Sequence, residues 1–226
     1  MHNFEDYQQA FRAFSNPARA AGMKAYMKNH FDFLGVKTPE RRDAFKPYLA
    51  ELKADLKAGQ GLDTDFVNRS WALPEREFHY NACDYLRLPA VKKTLEPDAL
   101  PWLRLLVETN TWWDSVDRLD TVIGDIVLRN PELDVLMLEW ARDDNFWVRR
   151  VAINHQRSRK KETNTALLEQ ILVLNFGSKE FFINKAIGWA LREYAKTDAG
   201  WVRDFVGRYE AQLASLSVRE AMKHLR

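Results

Sequence analysis

The sequence of 226 residues has one cysteine, no long apolar run and no linker rich in glycine and serine. The single thiol, Cys83, cannot form a disulfide within the chain and indicates a reducing, cytoplasmic environment. No segment approaches the roughly 20 uncharged apolar residues that a membrane span requires, so we expect no membrane association. Without a linker, we expect one domain over residues 1–226. The scattered histidines never lie at ligand spacing from a cysteine or another histidine, which argues against a dedicated zinc site.

The charge of the chain is unevenly distributed along the sequence. Residues 1–145 contain 19 basic and 24 acidic residues, a net charge of −5, whereas residues 146–226 contain 15 basic and 8 acidic residues, a net charge of +7. A basic C-terminal third favours an acidic partner such as a nucleic acid. Charge spread evenly over a solvated surface is the alternative, until the residues are placed on helix faces.

Helical patterns fill nearly the whole chain, and no segment alternates as a strand would. Aromatic residues recur near the predicted helix starts at Phe78, Trp113, Trp147 and Phe182, with separations of 35, 34 and 35 residues. Paired helices at this period stack into a superhelix of the HEAT, armadillo or tetratricopeptide type. The sequence therefore predicts an all-α solenoid of ten or more helices, which presents successive helices along one concave surface.

Start and cap signals place the individual helices. Thr38-Pro39-Glu40 predicts a helix through about Leu56, and Ser217 to Glu220 forms a capping-box pattern before a last helix. Other predicted helices begin at Pro74, Asp98, Trp112, Pro131, Asn145, Thr163 and Ser178.

Two predicted helices carry unusual residues away from their apolar sides. On the Trp112 helix, the stripe that includes Val116 and Ile123 is the core side, and a separate adjacent face carries Trp113, Asp117, Asp120 and Gly124. Trp113 and Asp117 are one turn apart and are therefore neighbours. Here the alternative is a tryptophan that borders the core beside solvated aspartates.

The helix that starts at Ser178 shows the same feature more strongly. Ile183, Ala186, Ile187, Ala190, Leu191 and Tyr194 form its core side, and the opposite side carries Phe181, Lys185, Gly188, Trp189 and Arg192. We expect Gly188 to leave room for something to approach this mixed face. Burial by another helix is the alternative, although unpaired buried cations would be costly.

Further basic clusters lie near aromatic residues in the pattern that suits a nucleic-acid backbone, where cations meet phosphates and aromatic rings meet sugars or bases. A solvated helix face is the alternative for each cluster taken alone. The clusters are Arg150, Asn154 and Arg157, and Tyr26, Lys28, His30, Lys37, Arg41 and Arg42.

Asp117 is the unexpected residue in such a surface, because a carboxylate repels phosphates. It fits a reaction in which positive charge develops nearby, as in the oxocarbenium-like transition state of glycosidic hydrolysis, or a role in orienting or deprotonating water. A metal-dependent nuclease stays open, because Asp114, Asp117 and Asp120 lie close together in sequence.

At these residues the sequence resembles the AlkD family of DNA alkylation repair glycosylases, built from HEAT-like repeats. The resemblance extends along essentially the whole chain, and several long segments in the correct order make it specific. They are YMKNHFDFLGVKTPERR (26–42), WALPEREFHYNACDYL (71–86), TWWDSVD (111–117), NFWVRRVAI (145–153), SKEFFINKAIGWALREYAKT (178–197) and LSVREAMKHL (216–225).

The resemblance implies roles for individual residues. Asp117, the last aspartate of WWDSVD, would be catalytic, and Trp113 and Trp189 would be the aromatic walls of the site. Arg150, Arg192 and Tyr26 would contact DNA, and Phe181 would lie at the lesion-facing surface. By their faces and clusters, Lys185 and Lys28 join the DNA-binding set.

The implied reaction is hydrolysis of the N-glycosidic bond of purines alkylated at N3 or N7 in duplex DNA, with no metal or organic cofactor. We expect a monofunctional enzyme and an extended monomer that acts on the backbone side of the lesion. Two other readings stay open: a non-catalytic module that binds damaged or branched DNA, and a protein-binding solenoid without salt-sensitive DNA affinity.

Overall fold

The computed structural model of the chain describes residues 3–225 and is helical throughout. This range contains fourteen α-helices and no β-strand, apart from one isolated bridge between Asp32 and Glu75. The prediction of an all-α fold with ten or more helices is therefore confirmed. No helix in the same range is both long and apolar enough to cross a membrane.

The helices group into two compact units, Met1–Thr94 and Leu95–Arg226. That residues 1–226 form one domain, and that the repeats enclose a concave basic surface, stay predictions. The first unit contains α1 (Phe4–Arg12), α2 (Pro17–Tyr26), α3 (Thr38–Lys57), α4 (Thr64–Ala72), α5 (Arg76–Leu86) and α6 (Pro89–Lys92). The second unit contains α7 (Leu100–Glu108), α8 (Trp113–Arg129), α9 (Asp134–Trp140), α10 (Phe146–Asn154), α11 (Thr165–Leu174), α12 (Phe181–Ala195), α13 (Ala199–Tyr209) and α14 (Ser215–Ala221).

The first unit is held together by aromatic side chains and one buried carboxylate. Tyr7 lies 5.8 Å from Phe45 and 5.7 Å from Phe66 between ring centroids, at distances where aromatic pairs attract. The Glu77 carboxylate accepts hydrogen bonds from the backbone N–H groups of residues 34, 35 and 36. Because these bonds satisfy the buried charge, Glu77 fixes the segment between α2 and α3.

The second unit is a stack of helical pairs. Each of α8, α10 and α12 packs against the next even-numbered helix, and α9, α11 and α13 pack behind them. The even-numbered helices begin at residues 113, 146, 181 and 215, which are 33, 35 and 34 positions apart. The repeat period predicted from the aromatic residues is therefore confirmed, and each repeat places a helix beside the equivalent helix of its neighbour.

Several predicted helix boundaries need correction. The helices predicted from Asp98 and Pro131 each begin with a 3-10 turn and become α-helical only at Leu100 and Asp134. The capping box at Ser217 is wrong, because α14 already begins at Ser215. Ser217 is buried within that helix, and its hydroxyl donates a hydrogen bond to the carbonyl of Asn184 (2.7 Å). It therefore serves to join α14 to α12.

Candidate functional site

Asp117 and Arg150 form a two-pronged ion pair between α8 and α10. Arg150 Nε donates to Asp117 Oδ1 (2.8 Å) and Nη2 donates to Oδ2 (2.9 Å). The third nitrogen, Nη1, donates to the carbonyl of Phe182 on α12 (2.5 Å). The Arg150 side chain is 3% exposed and that of Asp117 is 11% exposed. Arg150 thus fixes the orientation of the carboxylate, and each of its three guanidinium nitrogens has a partner within the protein.

The local sequence places Arg150 for this pairing. The Asn145 side chain caps α10 by accepting a hydrogen bond from the backbone of Trp147 (2.9 Å), which satisfies a donor that the helix start leaves free. One turn into the helix, Arg150 reaches Asp117, which is itself one turn into α8. The arginine predicted to contact DNA is therefore buried against the aspartate predicted to be catalytic.

A second ion pair, between Arg157 and Asp120, adjoins the first. Arg157 Nη2 donates to both carboxylate oxygens of Asp120 (2.9 and 2.8 Å) and to the backbone carbonyl of Asp117 (2.9 Å). Asp120 is fully buried, and this burial raises its pKa, while the nearby Arg157 acts in the opposite direction. Two carboxylates and two guanidinium groups therefore form one network in which the formal charges cancel.

The two predicted tryptophan walls are both partly exposed. Trp113 is the first residue of α8, one turn before Asp117, as its spacing predicts. The ring of Trp189 lies 4.0 Å from the guanidinium carbon of Arg157 and 6.0 Å from that of Arg150, which are cation–π distances. Trp189 is therefore part of the network around Asp117, and Trp113 lies on the same helix as that aspartate.

The mixed face of α12 requires a correction, because the α14 helix covers part of it. A side-chain carbon added at Gly188 would lie 2.5 Å from Glu220 Cβ and 2.7 Å from the Ser217 carbonyl oxygen, so Gly188 allows α14 to approach. Glu220 accepts hydrogen bonds from Lys185 Nζ (2.7 Å) and Arg192 Nη1 (2.6 Å). The cost of burying unpaired cations, which argued against helix packing here, does not arise, because Glu220 pairs with both.

The remaining predicted DNA-binding residues differ in their surroundings. Phe181 is 57% exposed at the start of α12, and its ring contacts that of Phe182. Tyr26 and Lys28 lie in the first unit, where both are exposed, and Lys28 follows α2 with a left-handed backbone (φ 53°). In the same unit Arg41 is buried and donates to Asp84 Oδ2 (2.6 Å). The prediction that it belongs to a basic surface is therefore wrong.

Sequence reasoning missed the partner of one charged residue and the role of another. It placed Arg157 in the basic cluster with Arg150, but nothing in the sequence indicates that Arg157 pairs with Asp120. Glu220 lies 35 positions after Lys185, a distance of one repeat. This spacing is the sequence signal that could have indicated their pairing. Within residues 3–225, no group of three acidic, histidine or cysteine side chains is arranged to hold a metal ion. The open possibility of a metal site at Asp114, Asp117 and Asp120 is therefore not supported.

Comparisons with known proteins place the chain among DNA repair proteins. The model of the family described as DNA alkylation repair enzyme matches residues 7–225. A solved structure described as a predicted DNA alkylation repair enzyme from Enterococcus faecalis is similar, with 33% sequence identity and a TM-score of 0.81. The similarity covers 93% of this chain and 96% of that one. No curated protein matches the chain.

Proposed function

The chain belongs to the DNA alkylation repair enzyme family, and from this premise we propose that it is a DNA glycosylase. Its substrates would be purines in duplex DNA that carry a positive charge after alkylation at N3 or N7. The observation that carries the proposal is the Asp117 carboxylate, held in one orientation by Arg150, whose guanidinium carbon lies 6.0 Å from the Trp189 ring. The resemblance noted from the sequence assigns the catalytic role to that same aspartate.

The chemistry requires little more than a fixed anion and an attacking water. When the bond from C1′ to the purine nitrogen breaks, its electron pair neutralises the alkylated base, and positive charge develops on the deoxyribose. Water then adds to C1′ and loses a proton. We propose that Asp117 stabilises the developing charge and orients the water, and that Trp113 forms an aromatic wall beside the sugar. One preorganised electrostatic group of this kind commonly contributes about 10²–10³ in rate.

Arg150 has two roles in this proposal. In the free protein it orients Asp117 but also neutralises it. When DNA binds, a phosphate that accepts a hydrogen bond from Arg150 would weaken the pairing of Arg150 with Asp117. The negative charge of the carboxylate would then be less neutralised. Trp189, already beside Arg150 and Arg157, would keep both arginines in place as this exchange occurs.

The other proposed DNA contacts fall into two groups. Phe181 and Tyr26 present exposed aromatic rings, which suit sugars and bases, and Lys28 offers an exposed cation. Lys185 and Arg192 are paired with Glu220, so each would have to exchange a carboxylate for a phosphate. We therefore expect them to contribute less to DNA affinity than their charges alone would predict.

A non-catalytic module for damaged or branched DNA is the second candidate. The complete pairing of Asp117 with a buried arginine favours it, because such a pair is also what a structural ion pair between two helices looks like. On this view Asp117 would be a structural residue, and the protein would bind DNA without changing it.

Release of free base from defined duplexes separates the two candidates. Duplexes with a single N7-methylguanine or N3-methyladenine are incubated with the protein, and the released base and the remaining abasic site are quantified. An unmodified duplex serves as the control, because a neutral purine is a poor leaving group. We expect release from at least one alkylated duplex. Salt-dependent binding to both without release would contradict the glycosylase and support the binding module.

A further inference from the structure

A pocket lies beside the candidate site, between the end of α10 and the last turns of α12. Its volume is about 230 Å³, and the residues that line it include Gln156, Arg157, Lys160 and Lys196. A wider cavity of about 440 Å³ adjoins it, because Lys160 and Lys196 line both. The proposed mechanism uses neither cavity.

Unpaired positive charge is concentrated around these two cavities. Lys160 and Lys161 have no ion pair with any side chain in residues 3–225. Arg159 has no carboxylate within 4.0 Å in that range, and it donates instead to the carbonyl of Gly124 (2.7 Å). Lys196 is paired with Glu193 (2.6 Å). Three cations on one short turn therefore lack a carboxylate within ion-pair distance in the described residues, an arrangement that attracts an anion.

The turn that carries these cations has a fixed shape. The buried Gln156 side chain accepts a hydrogen bond from the backbone N–H of Asn164 (2.8 Å) and donates one to its carbonyl (3.1 Å). Ser158 and Lys160 adopt left-handed backbone conformations, with φ of 75° and 55°. Such conformations are costly for residues other than glycine and often mark functional segments. The backbone that carries the cations thus has a defined shape before any ligand arrives.

We propose that this pocket binds a phosphate group of the DNA backbone that flanks the reacting nucleotide. The inference rests on the proposed function, because it takes duplex DNA as the ligand. Arg157 connects the two sites: it lines the pocket, and it also bonds the Asp117 carbonyl and contacts the ring of Trp189. The pocket thus shares Arg157 with the site at Asp117, and the proposal takes the phosphate to belong to the same strand as the sugar at Asp117.

A free phosphate ion or nucleotide has the same chemistry, and the distribution of charge favours DNA over it. Lys160 lines both cavities, and Arg159 and Lys161 line the wider one, where Glu162 is the one acidic lining residue. The positive charge thus continues from one cavity into the next and does not surround a single point. A polyanion matches such a line of charge, because counterion release rewards every phosphate that is neutralised.

The salt dependence of duplex binding tests this proposal. The double variant Lys160→Gln, Lys161→Gln is compared with wild type and with a matched control, Lys92→Gln, Lys93→Gln, which removes the same charge from adjacent lysines in the first unit. Binding to an alkylated duplex is measured at salt concentrations from about 50 to 200 mM. We expect the slope of log K against log salt to become shallower by about 1 in the first variant, with the control keeping the wild-type slope.

The outcomes separate this proposal from the glycosylase proposal. An unchanged slope in the Lys160, Lys161 variant, or an equal change in the control, would overturn the pocket assignment even if wild type excises bases. A specific change of slope would support the pocket even if wild type releases no base. Titration of wild type and of the variant with inorganic phosphate tests whether a free anion is the ligand instead. Saturation by phosphate that is lost in the variant, with an unchanged DNA slope, would show a free anion as the ligand and overturn the DNA assignment.

Discussion

Asp117 and Glu220 are two carboxylates that bind cations from a neighbouring helix, but they do so in different ways. Asp117 gives both oxygens to one arginine, whose side chain is 3% exposed. Glu220 divides its oxygens between Lys185 and Arg192, whose side chains are 37% and 19% exposed. The first arrangement fixes one carboxylate in a buried geometry. The second holds two partly solvated cations, which can exchange partners at lower cost.

The largest expected effect comes from breaking the buried pair at its arginine. Arg150→Ala leaves the Asp117 carboxylate without its partner and should lower the free energy of unfolding by about 3–5 kcal/mol. Urea denaturation measures this change. Arg149→Ala is the matched control, because Arg149 bonds only backbone carbonyls and should cost much less. Equal losses in the two variants would mean that the Asp117 pair has no special energetic role.

The packing of α14 around Glu220 can be tested at Gly188, the residue that allows α14 to approach α12. Gly188→Ala places a methyl group against Glu220 and Ser217 and should destabilise the protein by about 1–3 kcal/mol. Gly207→Ala in α13 meets no atom within 4 Å and should stabilise it by about 0.5–1 kcal/mol. Thermal denaturation of both variants tests whether the first is destabilised and the second stabilised. A neutral Gly188→Ala would show that α14 is not held closely against α12.

The smallest expected effect is the pH dependence of the Glu220 pairs. The hydrogen bond from Lys185 lowers the pKa of Glu220 below its ordinary value, against the opposing effect of burial. A lowered folded-state pKa stabilises the protein above the ordinary value of about 4.3, and this stabilisation is lost as the pH falls through the folded-state value. Wild type should thus be more stable than Glu220→Gln at pH 7, and the difference should disappear in acid. A difference that is constant with pH would contradict the pairing.

The sequence predicted the architecture well because the repeat is a local signal. Aromatic residues 34 or 35 positions apart mark helix starts, and Trp113 and Asp117 are neighbours on one helix whatever packs around them. Boundaries that depend on a neighbouring helix were harder. Ser217 has the pattern of a cap, but its hydroxyl bonds α12.

The partners of the charged residues could not be predicted in the same way. Helix faces identify cations, but the carboxylate that meets Arg150 lies 33 positions earlier, on another helix. Gly188 correctly signals a close approach, and only packing reveals that α14 is the element that approaches. The catalytic role of Asp117 comes from the family resemblance, since its spacing alone fits a structural ion pair equally well.

The central claim is that Asp117 differs from Glu220 in acting on the substrate. The most direct test compares single-turnover excision of an alkylated purine by Asp117→Asn and Glu220→Gln, with DNA binding and folding measured on the same samples. The double variant Asp117→Asn, Arg150→Gln controls for the arginine left unpaired. We predict that Asp117→Asn loses about 10²–10³ in rate yet binds DNA at least as tightly, and that Glu220→Gln keeps the wild-type rate. Full activity of Asp117→Asn, or an equal loss in both variants, would contradict the claim.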